Sequence, residues 1–139
     1  MEQQNNKEML FKLTKQAFLN AYSPYSNYNV GAVVLTKDNK AFIGANVENA
    51  SFPASVCAET ICIASAYSNG YRKNDIAAFA LISGSKKPSM PCGSCRQVMA
   101  ELIPAETPIY VFNIEGDCVE TNMKTLLPYP FSDEDLHNV

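Results

Sequence analysis

The sequence predicts an α/β fold in which a mixed sheet is flanked by helices. Two observations carry this. Hydrophobic periodicity alternates along the chain in the order helix, two strands, helix, strand, helix, two strands. With 139 residues, 47% of them hydrophobic, the chain suits one domain spanning residues 1–139, able to bury about two-thirds of its unfolded surface.

Each element has a local reason. Leu10, Leu13, Ala17 and Ala21 recur at helical spacing and predict a helix over residues 7–21. The turn formers Ser23-Pro24-Tyr25-Ser26-Asn27 end it. Val30-Gly31-Ala32-Val33-Val34-Leu35 reads as a buried strand, and residues 37–40 as a hairpin turn into a returning strand over 41–45. Residues 46–56 are small, polar and proline-containing, hence a loop. A second helix begins near Cys57 and runs to about residue 69, with Gly70 as its stop. Residues 77–83 read as a third strand and 84–91 as a loop. A third helix starts near Cys92 and ends before Pro104. Residues 109–113 and 118–122 read as two strands about a Glu115-Gly116-Asp117 turn.

Composition excludes several function classes. The net charge is −3 with both signs interspersed, which argues against a nucleic-acid binder. There is no apolar run near the ~18 residues a membrane span needs. The first seven residues are polar and lack an apolar signal core, so a cytoplasmic location is expected. The five cysteines, an odd number, then point away from a disulfide framework and towards metal binding or chemistry.

Cys57-Ala58-Glu59 and Pro91-Cys92-Gly93-Ser94-Cys95 carry that chemistry. Both groups stand at predicted helix starts, where unpaired N–H groups and the helix dipole favour thiolates. Cys92 and Cys95 are three apart and share one side of a helical turn. Zinc takes such sulfur ligands in a tetrahedron, and three cysteines leave one position for water, as in a catalytic site. Bound Zn²⁺ lowers the pKa of that water from ~16 to roughly 7. Glu59 lies within the first helical turn after Cys57, placed to carry protons without being a ligand. A ligand two residues before a glutamate, followed by Pro-Cys-x-x-Cys, is the pattern of zinc deaminases. A zinc-stabilised interaction module is the alternative, and it requires a fourth protein ligand.

The chain resembles the small, homotetrameric cytidine deaminases along nearly its whole length. Besides the two cysteine groups, the matching stretches are Ser23-Pro24-Tyr25-Ser26, Val30-Gly31-Ala32, Asn46-Val47-Glu48-Asn49-Ala50-Ser51, Arg96-Gln97-Val98 and Leu126-Leu127-Pro128. The resemblance implies a three-layer α/β/α sandwich with a mixed five-stranded sheet. It implies hydrolysis of cytidine and deoxycytidine to uridine and deoxyuridine, with Cys57, Cys92 and Cys95 holding zinc and Glu59 shuttling protons. It further implies that the backbone around Ala58 contacts the pyrimidine and that Asn46 and Glu48 bind ribose hydroxyls. Tyr28 and Phe131 would sandwich the base, Phe131 reaching into a neighbouring subunit's site. A nucleoside substrate and a homotetramer are the expected partners, with no nucleic acid and no membrane.

Two departures stand out. Thr60 occupies a position where small relatives carry arginine, which leaves the metal site without that positive charge. Phe52 stands where many relatives have tyrosine, which removes a hydroxyl from the sugar side. Cys62 and Cys118 match no ligand position and read as small core residues; His137 reads as solvated. Arg96 is open between support for the zinc thiolates and an interface role.

Overall fold

The computed structural model describes residues 2–137, with side chains described from Asn6 onward. The elements, in chain order, are α1 (Glu2–Leu19), β1 (Val30–Thr36), β2 (Ala41–Ala45), α2 (Ala58–Ser68), β3 (Ile76–Ser83), α3 (Gly93–Leu102), β4 (Ile109–Asn113), β5 (Cys118–Thr121), α4 (Met123–Leu126) and α5 (Asp133–His137). One five-stranded sheet runs in the order β2-β1-β3-β4-β5. Only the β3–β4 pair is parallel, so the sheet is mixed.

Alternation along β1 divides the core. Ala32 and Val34 face a cluster with Cys62, Ile63 and Ala66 of α2, Met99 of α3 and Ile103 just after it. Val33 and Leu35 face Leu10 of α1 on the opposite side. The result is three layers, as expected. Two glycines let helix backbone approach the sheet. A Cβ on Gly31 would stand 2.3 Å from the Thr14 carbonyl oxygen of α1, and one on Gly44 would stand 2.5 Å from the Ala58 carbonyl oxygen of α2.

Strands β2 and β3 both run antiparallel to β1 and therefore parallel to each other. Helices α2 and α3 follow their carboxyl ends, so both helix N-termini meet at one edge of the sheet. Ligand sites in α/β sheets form at such carboxyl ends.

The first helix differs from expectation at both ends. It begins at Glu2, because Glu-Gln-Gln-Asn-Asn contains no breaker and a helix propagates beyond its first apolar residue. It ends at Leu19, because Tyr22 is drawn into backbone pairing with the segment after β2. Its N–H donates to the Asn46 carbonyl at 2.9 Å, and its carbonyl accepts from the Glu48 N–H at 2.9 Å. The last strand stops at Thr121, and Asn122 instead caps α4, accepting from the Thr125 N–H. Neither α4 nor α5 has a periodic signal of its own; each is about one turn long.

Candidate active site

Cys57 and Cys92 are the N-caps of α2 and α3, in extended backbone just ahead of the first helical residue. Cys95 lies in the first turn of α3 and is 1% exposed. The three sulfurs lie within 4.8 Å of one another. That spacing suits one ion with Zn–S bonds of about 2.3 Å. No fourth histidine, cysteine or acidic ligand joins the cluster among the described residues. All five cysteines are free thiols.

The electrostatics favour charge on one sulfur of the cluster. A hydrogen bond from the Cys95 thiol pulls the Cys57 pKa down to about 7, against the effect of burial. Cys95, on the donating side of that bond and buried, is pushed upward. The pair thus shares its protons unequally, with Cys57 the thiolate end, and a cation arriving at the cluster displaces the protons that remain. Glu59 is 5% exposed, and burial raises its carboxyl above the ordinary glutamate value. Its own backbone N–H and the Cys95 thiol pull the other way and are outweighed by burial.

A cavity of about 290 Å³ opens beside the cysteines. Tyr28, Asn46, Glu48, Cys57, Ala58, Glu59 and Cys92 all line it, so one pocket gathers seven residues singled out in the sequence. Asn46 is braced there: its Oδ1 accepts from the Val30 N–H at 2.9 Å, and its Nδ2 donates to the Tyr28 carbonyl at 2.9 Å. One amide N–H and one oxygen lone pair remain for another partner. Glu48 accepts from the Tyr25 and Ser26 N–H groups at 2.9 and 3.1 Å and from the Ser26 hydroxyl. The Ser26 hydroxyl, foremost, holds its pKa below the ordinary value, against slight desolvation. The Tyr28 hydroxyl, which a phenylalanine would lack, meets the Ser85 hydroxyl at 2.8 Å.

Phe131 is not in this pocket. It is 58% exposed and lines a separate depression with Lys73, Ala100, Glu101 and Asp133. A larger cavity, about 480 Å³, lies on the opposite face of the sheet between Phe11 of α1 and Tyr110 and Phe112 of β4; no cysteine lines it.

Ser26 and Val30, which stand in the matching stretches without an expected site role, and Leu81, Ser83, Ser89 and Met90, which the sequence did not single out, also line the site. Val30 and Ser83 are paired at the end of β1 and β3 where the pocket opens. Register, which no single-chain motif carries, puts them there.

A family model described as the cytidine and deoxycytidylate deaminase zinc-binding region matches residues 4–111. The chain belongs to this family of zinc-binding deaminases. It is 46% identical to a cytidine deaminase of Halalkalibacterium halodurans, over 96% of this chain and 99% of the relative. It is similar to the crystal structure of cytidine deaminase from Burkholderia pseudomallei, with a TM-score of 0.87, 43% identity, and coverage of 89% of this chain and 98% of that one. The cytidine deaminase structure from Mycobacterium tuberculosis matches with a TM-score of 0.75, 34% identity and coverage of 90% and 96%.

Within the deaminase fold several remaining residues find their places. Arg96 makes no described hydrogen bond to sulfur; Nε donates to the Pro91 carbonyl at 2.8 Å and Nη1 to the Leu126 carbonyl at 2.9 Å. Thr60 sits in the first turn of α2, so the helix N-termini remain the positive ends facing the thiolates. Phe52 is exposed and packs edge-on against Tyr25. Cys62 is fully buried in the core, whereas Cys118, on the edge strand β5, is only half-buried. His137 is exposed at the end of α5. Among the described residues no helix is long and apolar enough to cross a membrane.

Proposed function

We propose that this chain is a cytidine deaminase. It adds water across C4 of cytidine or deoxycytidine and releases ammonia, giving uridine or deoxyuridine, as in pyrimidine salvage in the cytoplasm. One observation carries the reading: three sulfurs within 4.8 Å of one another, with no fourth ligand among the described residues, beside the buried Glu59.

Zinc, when bound, acidifies a water and so makes a nucleophile available near neutral pH. Cys57, Cys92 and Cys95 hold it. Glu59 takes one proton of the water at a carboxylate oxygen and passes it to the pyrimidine ring nitrogen; it then takes the second, from the hydroxyl now on C4, and delivers it to the amine, which leaves as ammonia as the C4 carbonyl forms. Its burial supports this work, because a carboxyl pushed upward accepts and returns a proton more evenly near pH 7. The backbone at Ala58 meets the pyrimidine. Asn46 offers its remaining N–H and lone pair to a sugar hydroxyl, and Glu48 accepts from another. The ring of Tyr28 stacks on the base, and the walls at Val30, Leu81 and Met90 exclude water.

The active unit is a homotetramer whose neighbouring subunits complete each site. Support comes from apolar side chains left in solvent around and beyond the pocket: Tyr22 at 56%, Phe52 at 72%, Tyr129 at 94% and Phe131 at 58% exposure. Nucleic acid and membrane have no part in this reading.

The test is deamination of cytidine and deoxycytidine by the purified protein, followed by ultraviolet absorbance, with zinc measured on the same sample. Blasticidin S belongs in the panel, because the chain is 26% identical to a blasticidin-S deaminase of Bacillus cereus. Glu59→Gln is expected to retain zinc and lose about 10²- to 10⁴-fold in kcat. Chelation is expected to abolish activity while the circular dichroism of the fold persists. A zinc-loaded protein inert towards both nucleosides would overturn the assignment.

A further inference from the structure

Arg96 stands in the first turn of α3, directly after Cys95. Its two bonds reach carbonyls that regular structure leaves unserved. The α3 ladder starts with the Arg96 N–H donating to the Cys92 carbonyl at 2.9 Å, so the Pro91 carbonyl lies outside it. The Leu126 carbonyl belongs to the last turn of α4, where helix carbonyls lack intrahelical donors. One planar guanidinium serves both, at 2.8 and 2.9 Å. Arg96 pairs with no carboxylate among the described residues, so its charge strengthens these two bonds instead. The neighbouring Gln97 adds a third tie, Nε2 donating to the Phe131 carbonyl at 2.8 Å.

The placement matters because of what lies at each end. Pro91 immediately precedes Cys92, and fixing its carbonyl fixes the peptide plane from which Cys92 departs. Cys92 is the exposed member of the cysteine cluster, whereas Cys95 is held by burial. It therefore has the least packing to orient its sulfur. At the other end, residues 126–131 run from the core residue Leu126 to the exposed Phe131.

We propose that Arg96 is a positioning residue that couples the metal-binding turn to the C-terminal segment. The turn grips its ion tightly only while residues 126–131 are docked, and that segment is presented in one orientation only while the turn is in place. The proposal rests on the reading that the three cysteines hold zinc. It goes beyond that reading by making metal retention and the presentation of residues 126–131 depend on one side chain. Hydrogen-bonding partners just outside a metal's ligands commonly change its affinity by about 10- to 100-fold when removed.

The experiment uses the full-length, zinc-loaded protein. Zinc release to a colorimetric chelator is timed, and amide exchange is followed at residues 92–95 and at Leu126, Leu127, Tyr129 and Phe131. Arg96→Met keeps the apolar stem and removes both bonds. It is expected to release zinc roughly 10- to 100-fold faster and to lose protection at both segments. Arg96→Lys is expected to recover little, because a point charge cannot reproduce the two-pronged fork. Gln97→Met, which removes only the tie to Phe131, is expected to loosen residues 126–131 and to speed zinc release by a smaller factor.

Unchanged zinc release in Arg96→Met overturns the proposal. Faster release with undiminished protection at residues 126–131 also overturns it, since Arg96 would then brace the turn alone. If Arg96→Met does not fold, Gln97→Met decides: a loosened segment with normal zinc release defeats the coupling. Absence of zinc from the unmodified protein is a different failure, because it removes the metal reading itself.

Discussion

Two residues at the mouth of the pocket owe their behaviour to serine hydroxyl groups. Burial alone would raise the Tyr28 phenol, yet hydrogen bonds with Ser83, Ser85 and Ser89 outweigh it and lower its pKa. The Tyr28–Ser85 bond thereby fastens the loop after β3 to the segment before β1. A single hydrogen bond contributes about 0.5–1.5 kcal/mol, and partial exposure puts this one at the low end. Tyr28→Phe keeps the ring, so KM for cytidine is expected to rise about two- to fivefold with kcat nearly unchanged. A fall in kcat at constant KM would show that the hydroxyl acts on the reaction instead. Glu48 is the second case. Its pKa is lowered in the fold, so its tether to the 25–26 turn is fully present above the unfolded value near ~4.3 and is lost as pH falls through the folded value. A carboxyl titration followed by NMR is expected to show a Glu48 midpoint below the ordinary glutamate value, moving up in Ser26→Ala. An ordinary midpoint in the unmodified protein would mean that the tether is absent in solution.

At the scale of elements, the site depends on how closely α2 lies on the sheet. Gly44 faces α2, where an added Cβ would come within 2.5 Å of the Ala58 carbonyl and 2.7 Å of the Cys62 nitrogen. Those backbone atoms belong to the helix that begins at Cys57. Gly31 makes the same close approach on the other face, against Thr14 and Phe18 of α1. Overpacking typically costs about 1–3 kcal/mol, and more where backbone must move. Gly44→Ala and Gly31→Ala are therefore both expected to lower the melting temperature by several degrees. Only Gly44→Ala is expected also to weaken zinc retention, because α2 starts at the ligand Cys57 whereas α1 carries none. Equal zinc loss in both variants would show that the effect comes from general destabilisation.

For the whole molecule, the question is where Phe131 acts. Within one chain it lies outside the pocket, and its exposure leaves it free to enter another. Co-expression of Phe131→Ala with Glu59→Gln subunits tests this. One variant supplies an intact Glu59, and the other supplies an intact Phe131. Mixed oligomers are expected to exceed the summed activity of the two variants made separately. Activity no greater than that sum would confine Phe131 to its own chain.

What the sequence determined by itself was local in origin. Strands β1 and β2 announced themselves through short apolar runs about a Lys37-Asp38-Asn39-Lys40 turn, and Pro104 and Gly70 marked helix ends. The metal site was legible because its ligands sit at fixed short spacings and because a thiolate, a helix start and an adjacent carboxyl are chemically interdependent. Tertiary structure decided the rest. The end of α1 depended on pairing with residues 46–48, which no window of sequence contains. Ser83 became part of the pocket only through strand register, and Ser89 only through the path of the loop after β3. Arg96, ambiguous in the sequence, acquired its role from two carbonyls, one of them 30 positions away. Periodicity and motifs record what neighbouring residues do to one another, whereas a hydrogen bond between distant segments exists only after the chain has packed.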